Sequence, residues 1–121
     1  MSPVHLARLE SAMRVVTEFF TAAKIGDATR MARLMGDDCV VETGGPAPGG
    51  ARLTGPEAAA DYLEALTAGS DPGCIELEEA FGFSNRCVVR WRRGGADPTR
   101  GVDLFTVRDG SIREILSYVK A

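Results

Sequence analysis

The sequence predicts one α+β domain over residues 1–121, with helices in the first half and an antiparallel sheet in the second. Apolar residues recur at helical spacing in the first third of the chain. From residue 74 onwards, short segments of alternating apolar and polar residues are separated by turn residues. Helices followed by consecutive strands are typical of α+β folds. With 121 residues, 45% of them hydrophobic, the chain can build one core without metals or disulfides.

The first two predicted helices precede any strand. Ser2 is placed to cap the first helix, with Pro3 in its first turn, and Gly26 is placed to end it. Asp27 is placed to cap a second helix, which we predict to continue through Met35. We expect these two helices to bury Leu6, Leu9, Met13, Val16, Phe20, Ala23, Met31, Leu34 and Met35.

A short strand and a third helix follow. The β-branched segment 39–43 predicts a strand, and the glycine-rich segment 44–50 after it predicts a connector or a lid. A phosphate-binding loop is excluded there because no lysine and no helix follow the glycines. Segment 54–57, TGPE, has the spacing of a capping box, so we expect a helix from there to about Ala68, ending at Gly69. Its inward residues would be Ala59, Leu63 and Leu66.

Four strands complete the chain. They are predicted at 74–83, 86–93, 100–108 and 111–119, and the segments between them are Ser84-Asn85, a Gly-Gly-Ala-Asp-Pro segment and Asp109-Gly110. Connections this short join antiparallel neighbours. The sequence therefore predicts an antiparallel meander.

Charge and composition exclude several classes of partner. The net charge is −3, which disfavours nucleic acid and anionic membranes. No apolar run approaches the roughly 20 residues of a spanning helix. Arg8, Glu10 and Arg14 interrupt the N-terminal segment, where a signal peptide needs apolar residues. We therefore expect a cytoplasmic protein that binds neither nucleic acid nor membrane, and the composition allows a small neutral ligand.

The cysteines and the single histidine form no metal or redox motif in the sequence. Cys39, Cys74 and Cys87 are odd in number and lack C-x-x-C spacing, so we interpret them as small buried hydrophobic residues. His5 is far in sequence from any cysteine, which disfavours a metal site and a Ser-His-Asp triad. We expect His5 on the surface of the first helix, and we expect no metal and no cofactor.

Three segments carry a resemblance to a known superfamily. They are FFTAAKIGDATRMARLMGDDCVVET, LTGPEAAADYLEAL and GVDLFTVRDGSIREILSY, in that superfamily's order. The chain resembles the SnoaL-like branch of the nuclear transport factor 2-like superfamily, which includes ketosteroid isomerase-like and polyketide cyclase-like proteins. The resemblance implies a cystatin-like α+β roll, in which a cone-shaped, curved antiparallel sheet wraps around a long N-terminal helix, with three helices in all. It also implies a largely apolar cavity open at one end, suited to small apolar ligands.

The same resemblance assigns roles to individual positions. Where ketosteroid isomerases place a donor tyrosine, a carboxylate base and a neutral carboxylic acid, this chain has Phe19, Thr43 and Asp103. Phenylalanine donates no hydrogen bond and threonine is a very weak base, so classical steroid isomerisation is not expected. The late aspartate of related epoxide hydrolases falls on Ser117, so their mechanism is not expected either. Related cyclases use one aspartate as acid and base, and Asp103 is the nearest candidate.

Strand alternation places Asp103 on the same face as Phe105 and Val107, which predicts a buried carboxyl. A buried carboxyl must be paired, hydrogen-bonded or neutralised by a raised pKa. Two interpretations stay open: an acid–base group in a pocket, or a structural ion pair with an arginine. Arg90 qualifies as that arginine only if a bulge reverses the facing of its strand.

The same alternation assigns the neighbouring side chains to one face of the sheet or the other. Trp91 falls on an apolar face with Cys87 and Val89, as core or as pocket wall. We assign Ser117 to the cavity and Tyr118 to a partner subunit. Two groups of charged side chains remain. Arg92, Arg93 and Arg100 flank a hairpin tip, which we predict to be solvated rather than a site for an anionic ligand or a partner. Glu76, Glu78 and Glu79 are either surface charges of the same kind or part of an outer strand face that forms a dimer contact.

Three functions are consistent with these residues. The first is a cofactor-independent enzyme acting on a small apolar or polyketide-like carbonyl compound, with Asp103 as acid and base. The second is a non-catalytic module that binds a hydrophobic ligand. The third is a structural or assembly protein that acts as a homodimer through its sheet. The predicted pocket residues are Phe19, Thr43, Tyr62, Trp91, Phe105 and Ser117.

Overall fold

The structure, a computed structural model, describes residues 2–43, 51–95 and 98–120. The segment predicted as a connector or lid, 44–50, lies outside them. The described helices are α1 (Pro3–Lys24), α2 (Ala28–Arg33) and α3 (Ala58–Thr67), and a 3₁₀ turn covers Pro72–Cys74. The described strands are β1 (Met35–Thr43), β2 (Ala51–Thr54), β3 (Ile75–Phe83), β4 (Arg86–Arg93), β5 (Thr99–Arg108) and β6 (Ser111–Val119). The predicted α+β class and the final meander are confirmed.

The described strands form one curved, open sheet in the order β2-β1-β6-β5-β4-β3. Neighbouring strands are antiparallel except β1 and β6, which are parallel, so the sheet is mixed rather than wholly antiparallel. A parallel pair needs a long connection, and the chain from β2 to β5 supplies it. This pairing joins segments that are far apart in sequence, so alternation within one strand does not reveal it.

The long helix α1 packs against one face of the sheet, which we call the inner face; the opposite face is the outer face. The Ser2 hydroxyl accepts a hydrogen bond from the His5 backbone N–H, as predicted for the cap. The side chains that α1 buries are Ala12, Val16, Phe19, Phe20, Ala22 and Ala23. Leu6 is 48% exposed, because the first turns of the helix extend past the core. No helix in the described part of the chain combines the length and apolarity needed to span a bilayer.

The second helix is shorter than predicted. Asp27 caps α2, as expected, by accepting a hydrogen bond from a backbone N–H of the first turn. The helix ends at Arg33, and Met35 begins β1 instead of ending the helix. The Leu34 carbonyl accepts a hydrogen bond of 2.8 Å from the backbone N–H of Ile112 on β6. Pairing with a distant strand therefore overrides the helical spacing of this segment.

The predicted capping box before α3 does not form. Thr54 belongs to β2, a strand that the sequence analysis missed, and it pairs with Val40 on β1. Thr54 is therefore the last residue of a strand and not part of a helix cap. The helix begins at Ala58, and Glu57 at the cap position makes no side-chain hydrogen bond. Four strand residues between two turn segments are too short a run for alternation to distinguish them from a loop.

The cysteines are free thiols with different exposures. Cys39 and Cys87 are buried and Cys74 is half-buried. Burial, followed by the negative charge of Asp38, raises the pKa of the Cys39 thiol to about 11. Cys39 and Cys87 therefore behave as small apolar residues, as predicted. His5 is partly exposed on α1.

Candidate functional site

Three strands bring side chains together on the inner face at one level of the sheet. Asp103 on β5 is opposite Val89 on β4 and opposite Ser117 on β6. Asp103, Phe105 and Val107 are all buried, so the predicted facing of Asp103 is confirmed. Because directly opposite residues of antiparallel strands point to the same face, Ser117 points inward beside Asp103.

Thr43 extends this row to a fourth strand. Glu42 on β1 is in register with Leu116 on β6, so the next residues along the two parallel strands, Thr43 and Ser117, come side by side. Val41, two residues before Thr43, is fully buried, and Thr43 is half-buried. Thr43 therefore lies on the inner face, at the level of Ser117.

The Asp103 carboxyl is the centre of a buried hydrogen-bond cluster. Its Oδ1 accepts hydrogen bonds from the Trp91 indole Nε1 at 3.0 Å and from the Ser117 hydroxyl at 2.7 Å. Its Oδ2 accepts a hydrogen bond from the Tyr62 hydroxyl. Asp103 has no exposed surface. We call these four residues the Asp103 cluster. All three donors are neutral, so the interpretation of Asp103 as an ion pair with an arginine is wrong.

The cluster perturbs the titration of two of its members. Burial raises the pKa of the Asp103 carboxyl above its ordinary value, and the hydrogen bonds from Tyr62, Trp91 and Ser117 offset part of that rise. Burial, followed by the charge of Asp103, raises the pKa of Tyr62 well above its ordinary value. Tyr62 therefore keeps its proton, and Asp103 is the member that gains or loses one.

The Trp91 indole reaches Asp103 because the residue opposite it on β5 is a glycine. Trp91 and Gly101 are partners across β4 and β5. A Cβ atom on Gly101 would lie 2.2 Å from the indole Cζ2, far inside van der Waals contact. Any side chain at this position would displace the ring. Gly101 was not among the predicted site residues; its signal is a glycine inside a strand, which often marks close approach of another group.

Aromatic rings pack around the cluster on its helical side. Phe19 on α1 contacts the rings of Tyr62 and Phe105 at centroid distances of 5.5 and 5.8 Å. Phe20 contacts Phe105 at 5.7 Å. All four rings are buried, and Asp103 behind them is fully buried too. Within the described residues, the rings leave no exposed surface at the carboxyl, and the open cavity that the resemblance implies is not seen there.

The predicted site residues are brought together to different degrees. Tyr62, Trp91 and Ser117 contact Asp103 directly, whereas Phe19 and Phe105 join the cluster through ring contacts and Thr43 through its place in the sheet. The sequence placed Tyr62 in the pocket but gave no sign that its hydroxyl meets Asp103. Their roles in catalysis or binding stay predictions.

Sequence comparison identifies the family of this chain. A sequence model of the SnoaL-like domain matches residues 16–115. The chain belongs to the SnoaL-like family. No functionally curated protein matches it.

Solved structures share this SnoaL-like fold. An NTF2-like protein of unknown function from Mesorhizobium loti is 32% identical, with a TM-score of 0.76 and 94% of each chain covered. A Kribbella flavida protein provisionally named a ketosteroid isomerase is 14% identical, with a TM-score of 0.76 over 93% of this chain and 80% of its own. A Jannaschia sp. CCS1 protein provisionally named a SnoaL-like polyketide cyclase is 17% identical, with a TM-score of 0.75 over 99% and 90%. The last two likenesses show the fold alone.

The outer face of this SnoaL-like sheet carries cross-strand ion pairs. They join three arginines of β4 and β5 to three glutamates of β3, and we call them the Glu–Arg ladder: Arg90 with Glu79 at 2.8 Å, Arg92 with Glu76 at 2.7 Å and Arg100 with Glu78 at 3.4 Å. Arg90 therefore pairs on the face opposite Asp103, and no bulge reverses it. Tyr118 is 63% exposed, on the face opposite Ser117, as predicted.

Arg93 corrects the predicted solvated tip. It is only 6% exposed, and its guanidinium donates a hydrogen bond of 2.8 Å to the Leu66 carbonyl in the last turn of α3. The alternation of β4 turns this side chain inward, where it connects the strand to the helix that supplies Tyr62. Arg93 is thus part of the scaffold around the Asp103 cluster.

The chemistry available to the cluster is that of one carboxyl among neutral donors. Within residues 2–43, 51–95 and 98–120, no group of three or more His, Cys, Asp or Glu side chains is placed to hold a metal ion. A single carboxyl with a raised pKa accepts and releases protons in an apolar environment. The arrangement fits proton transfer.

Proposed function

We propose that the protein is an enzyme that moves a proton within a small apolar carbonyl compound, such as a polyketide-like ketone, with Asp103 as acid and base. The observation that carries this proposal is the fully buried Asp103 carboxyl, held by three neutral donors. A carboxyl in an apolar interior costs free energy that an apolar side chain of similar size would not. Residues that cost folding free energy in this way are expected at functional sites, and proton transfer gives this one a function.

The direction of the Asp103 pKa supports this role. An acid–base group works best when its pKa lies near the working pH, and burial raises the pKa of Asp103 towards that range. Tyr62 and Trp91 hold the two carboxyl oxygens in fixed positions. Fixed donors of this kind orient a proton-transfer group before the substrate arrives.

Ser117 supplies the route by which a substrate would reach the carboxyl. It is the half-buried member of the cluster, whereas Asp103, Tyr62 and Trp91 have at most 1% of their surface exposed. Its hydroxyl occupies one of the two hydrogen bonds on Oδ1. In this proposal a substrate displaces that hydroxyl and presents the C–H next to its carbonyl to Oδ1.

Hydrogen exchange into ketones tests the proposal before the natural substrate is known. The protein is incubated in D2O with cyclic and open-chain ketones, and deuterium at the carbon beside the carbonyl is followed by NMR. We expect catalysed exchange for at least one ketone, and about 100-fold less with Asp103→Asn, in line with general acid–base catalysis. Asp61→Asn removes an exposed carboxyl from α3 and should change nothing. An exchange rate in Asp103→Asn equal to that of the wild type would contradict the proposal.

A non-catalytic module for a hydrophobic ligand is the second candidate. It is favoured by the three hydrogen bonds that Asp103 already accepts within the protein and by Phe19 and Thr43, which stand where the resemblance places a donor and a base. Such a module binds ketones without exchange. Native mass spectrometry that finds a bound ketone, together with no deuterium above the protein-free rate, would select this candidate.

We further propose that two copies pair through the outer face. Val102 and Tyr118 are 39% and 63% exposed there, and the Glu–Arg ladder beside them provides a polar rim. Tyr118→Lys would bring two like charges into such an interface. Sedimentation should show a dimer for the wild type and a monomer for this variant, with Phe83→Lys on the edge strand β3 as the control. A wild-type monomer would rule the pairing out.

The proposed enzyme acts in the cytoplasm. Its half-buried Cys74 is a free thiol, which is typical of proteins in a reducing compartment.

A further inference from the structure

A second concave site lies towards the other end of α1 from the Asp103 cluster. A groove of about 460 Å³ separates the N-terminal half of α1 from the β3–β4 turn and the β5–β6 turn. We call it the turn groove. Arg8 borders it, and Arg8 is about 16 Å along the helix axis from Phe19, which packs at the cluster. The turn groove is therefore separate from the proposed catalytic site.

The turn groove has a cationic rim. Ala12 and Val107 lie beneath the groove and are buried, with 0% and 4% of their surface exposed. Arg8 on α1 and Arg108 at the end of β5 reach the rim from different elements. The backbone N–H of Val107 donates a hydrogen bond of 2.9 Å to the Asn85 carbonyl, which joins the two turns. The groove is thus held by backbone contacts between its walls.

Neither rim arginine has a carboxylate partner among the described residues. The ion pairs there involve other arginines: Arg30, Arg52, Arg90, Arg92, Arg100 and Arg113. Asp109 also lines the groove, but it is ion-paired with neither Arg8 nor Arg108. Two guanidinium groups against one carboxylate give this groove a positive charge on a chain whose net charge is −3. The groove is suited to an anion.

We propose that the turn groove binds a small organic carboxylate. Guanidinium groups hold carboxylates through paired, charge-assisted hydrogen bonds, and Arg8 and Arg108 supply two such groups. The volume of about 460 Å³ lies within the range of small-molecule sites.

Calorimetric titration with matched ligands tests this site. Hexanoate and benzoate are compared with the neutral hexanamide and benzamide, which have nearly the same shape. We expect the carboxylates to bind about tenfold more tightly than the amides, and Arg8→Gln and Arg108→Gln each to weaken carboxylate binding about tenfold. Ser11→Trp, which fills the groove from its exposed α1 side, should abolish binding of both carboxylates.

Two control variants separate this site from general charge and from the Asp103 cluster. Arg14→Gln removes the same charge from another exposed position on α1 and should leave carboxylate affinity unchanged. Asp103→Asn should also leave it unchanged. Equal affinity for acids and amides, an unchanged affinity in the Arg8→Gln, Arg108→Gln double variant, an equal loss in Arg14→Gln, or no heat with either carboxylate would each overturn the proposal.

Discussion

Carboxyl groups have opposite environments on the two faces of the sheet. On the inner face, Asp103 is fully buried and accepts hydrogen bonds from three neutral donors. On the outer face, the glutamates of the Glu–Arg ladder each meet an arginine close to solvent. Exposed ion pairs stabilise a protein little, whereas a buried charge is costly. The arginines of the ladder therefore pair with exposed carboxylates, which gain little stability from them. Asp103 has three neutral donors instead, so its carboxyl can change its charge.

Gly101→Ala should produce the largest effect on the inner face. The added Cβ would displace the Trp91 indole and break its hydrogen bond to Asp103. Overpacking and a lost hydrogen bond to a carboxylate together should lower the free energy of unfolding by about 3–5 kcal/mol. Urea denaturation measures the change. Gly94→Ala is the control, because a Cβ there meets nothing within 4 Å. Equal losses in both variants would show that the indole does not depend on Gly101.

Tyr62→Phe should have the next largest effect. It leaves Oδ2 of Asp103 without its donor in a site that water does not reach, so we expect a loss of about 1.5–3 kcal/mol in urea denaturation. Tyr118→Phe removes the same hydroxyl from an exposed position on the outer face and should change little. Comparable losses for the two tyrosines would contradict the contrast between the faces.

The pH dependence of stability should also distinguish Asp103. Because burial raises the folded-state pKa of Asp103, its favourable contribution is complete below the unfolded-state pKa of about 3.9 and is lost as the pH rises through the folded-state pKa. Asp103→Asn removes this titration. The unfolding free energy of the wild type minus that of the variant should therefore fall with rising pH and then level off. A difference that rises with pH would mean that the hydrogen bonds outweigh burial.

Glu79→Gln should produce the smallest effect. It breaks the ion pair with Arg90, in which both side chains are 49% exposed, so we expect a loss of less than about 1 kcal/mol. The loss should shrink further in 1 M salt, since salt at about that concentration screens exposed charges over a few ångströms. Urea denaturation at low and high salt gives both values. A loss as large as that of Tyr62→Phe would remove the distinction between the faces.

Much of the sheet could be predicted from the sequence because alternation is a local property. It placed Asp103 with Phe105 and Val107, and it separated Ser117 from Tyr118. The parallel pairing of β1 with β6 could not be predicted, because it depends on contacts between distant segments. The same pairing ended α2 earlier than its apolar spacing indicated.

The site was less predictable than the sheet. An inward carboxyl follows from alternation, but its donors do not, since Tyr62 is on a helix whose position over the sheet is set by the whole fold. Arg93 shows the same limit: a charge run beside a turn is typical of a solvated tip, yet one member is buried against the Leu66 carbonyl. Local sequence patterns predict which face of a strand a side chain lies on, whereas tertiary packing determines which groups that side chain contacts.

The position of the indole has a practical consequence. Trp91 is the only tryptophan in the chain, and its N–H is bonded directly to the Asp103 carboxyl. Tryptophan emission, as distinct from that of the two tyrosines, therefore comes from a single residue that touches the proposed acid–base group. A change in the charge of that carboxyl, or its displacement by a ligand, alters the polar surroundings of the ring. The wavelength of Trp91 fluorescence therefore reports the charge state of Asp103 without an added label.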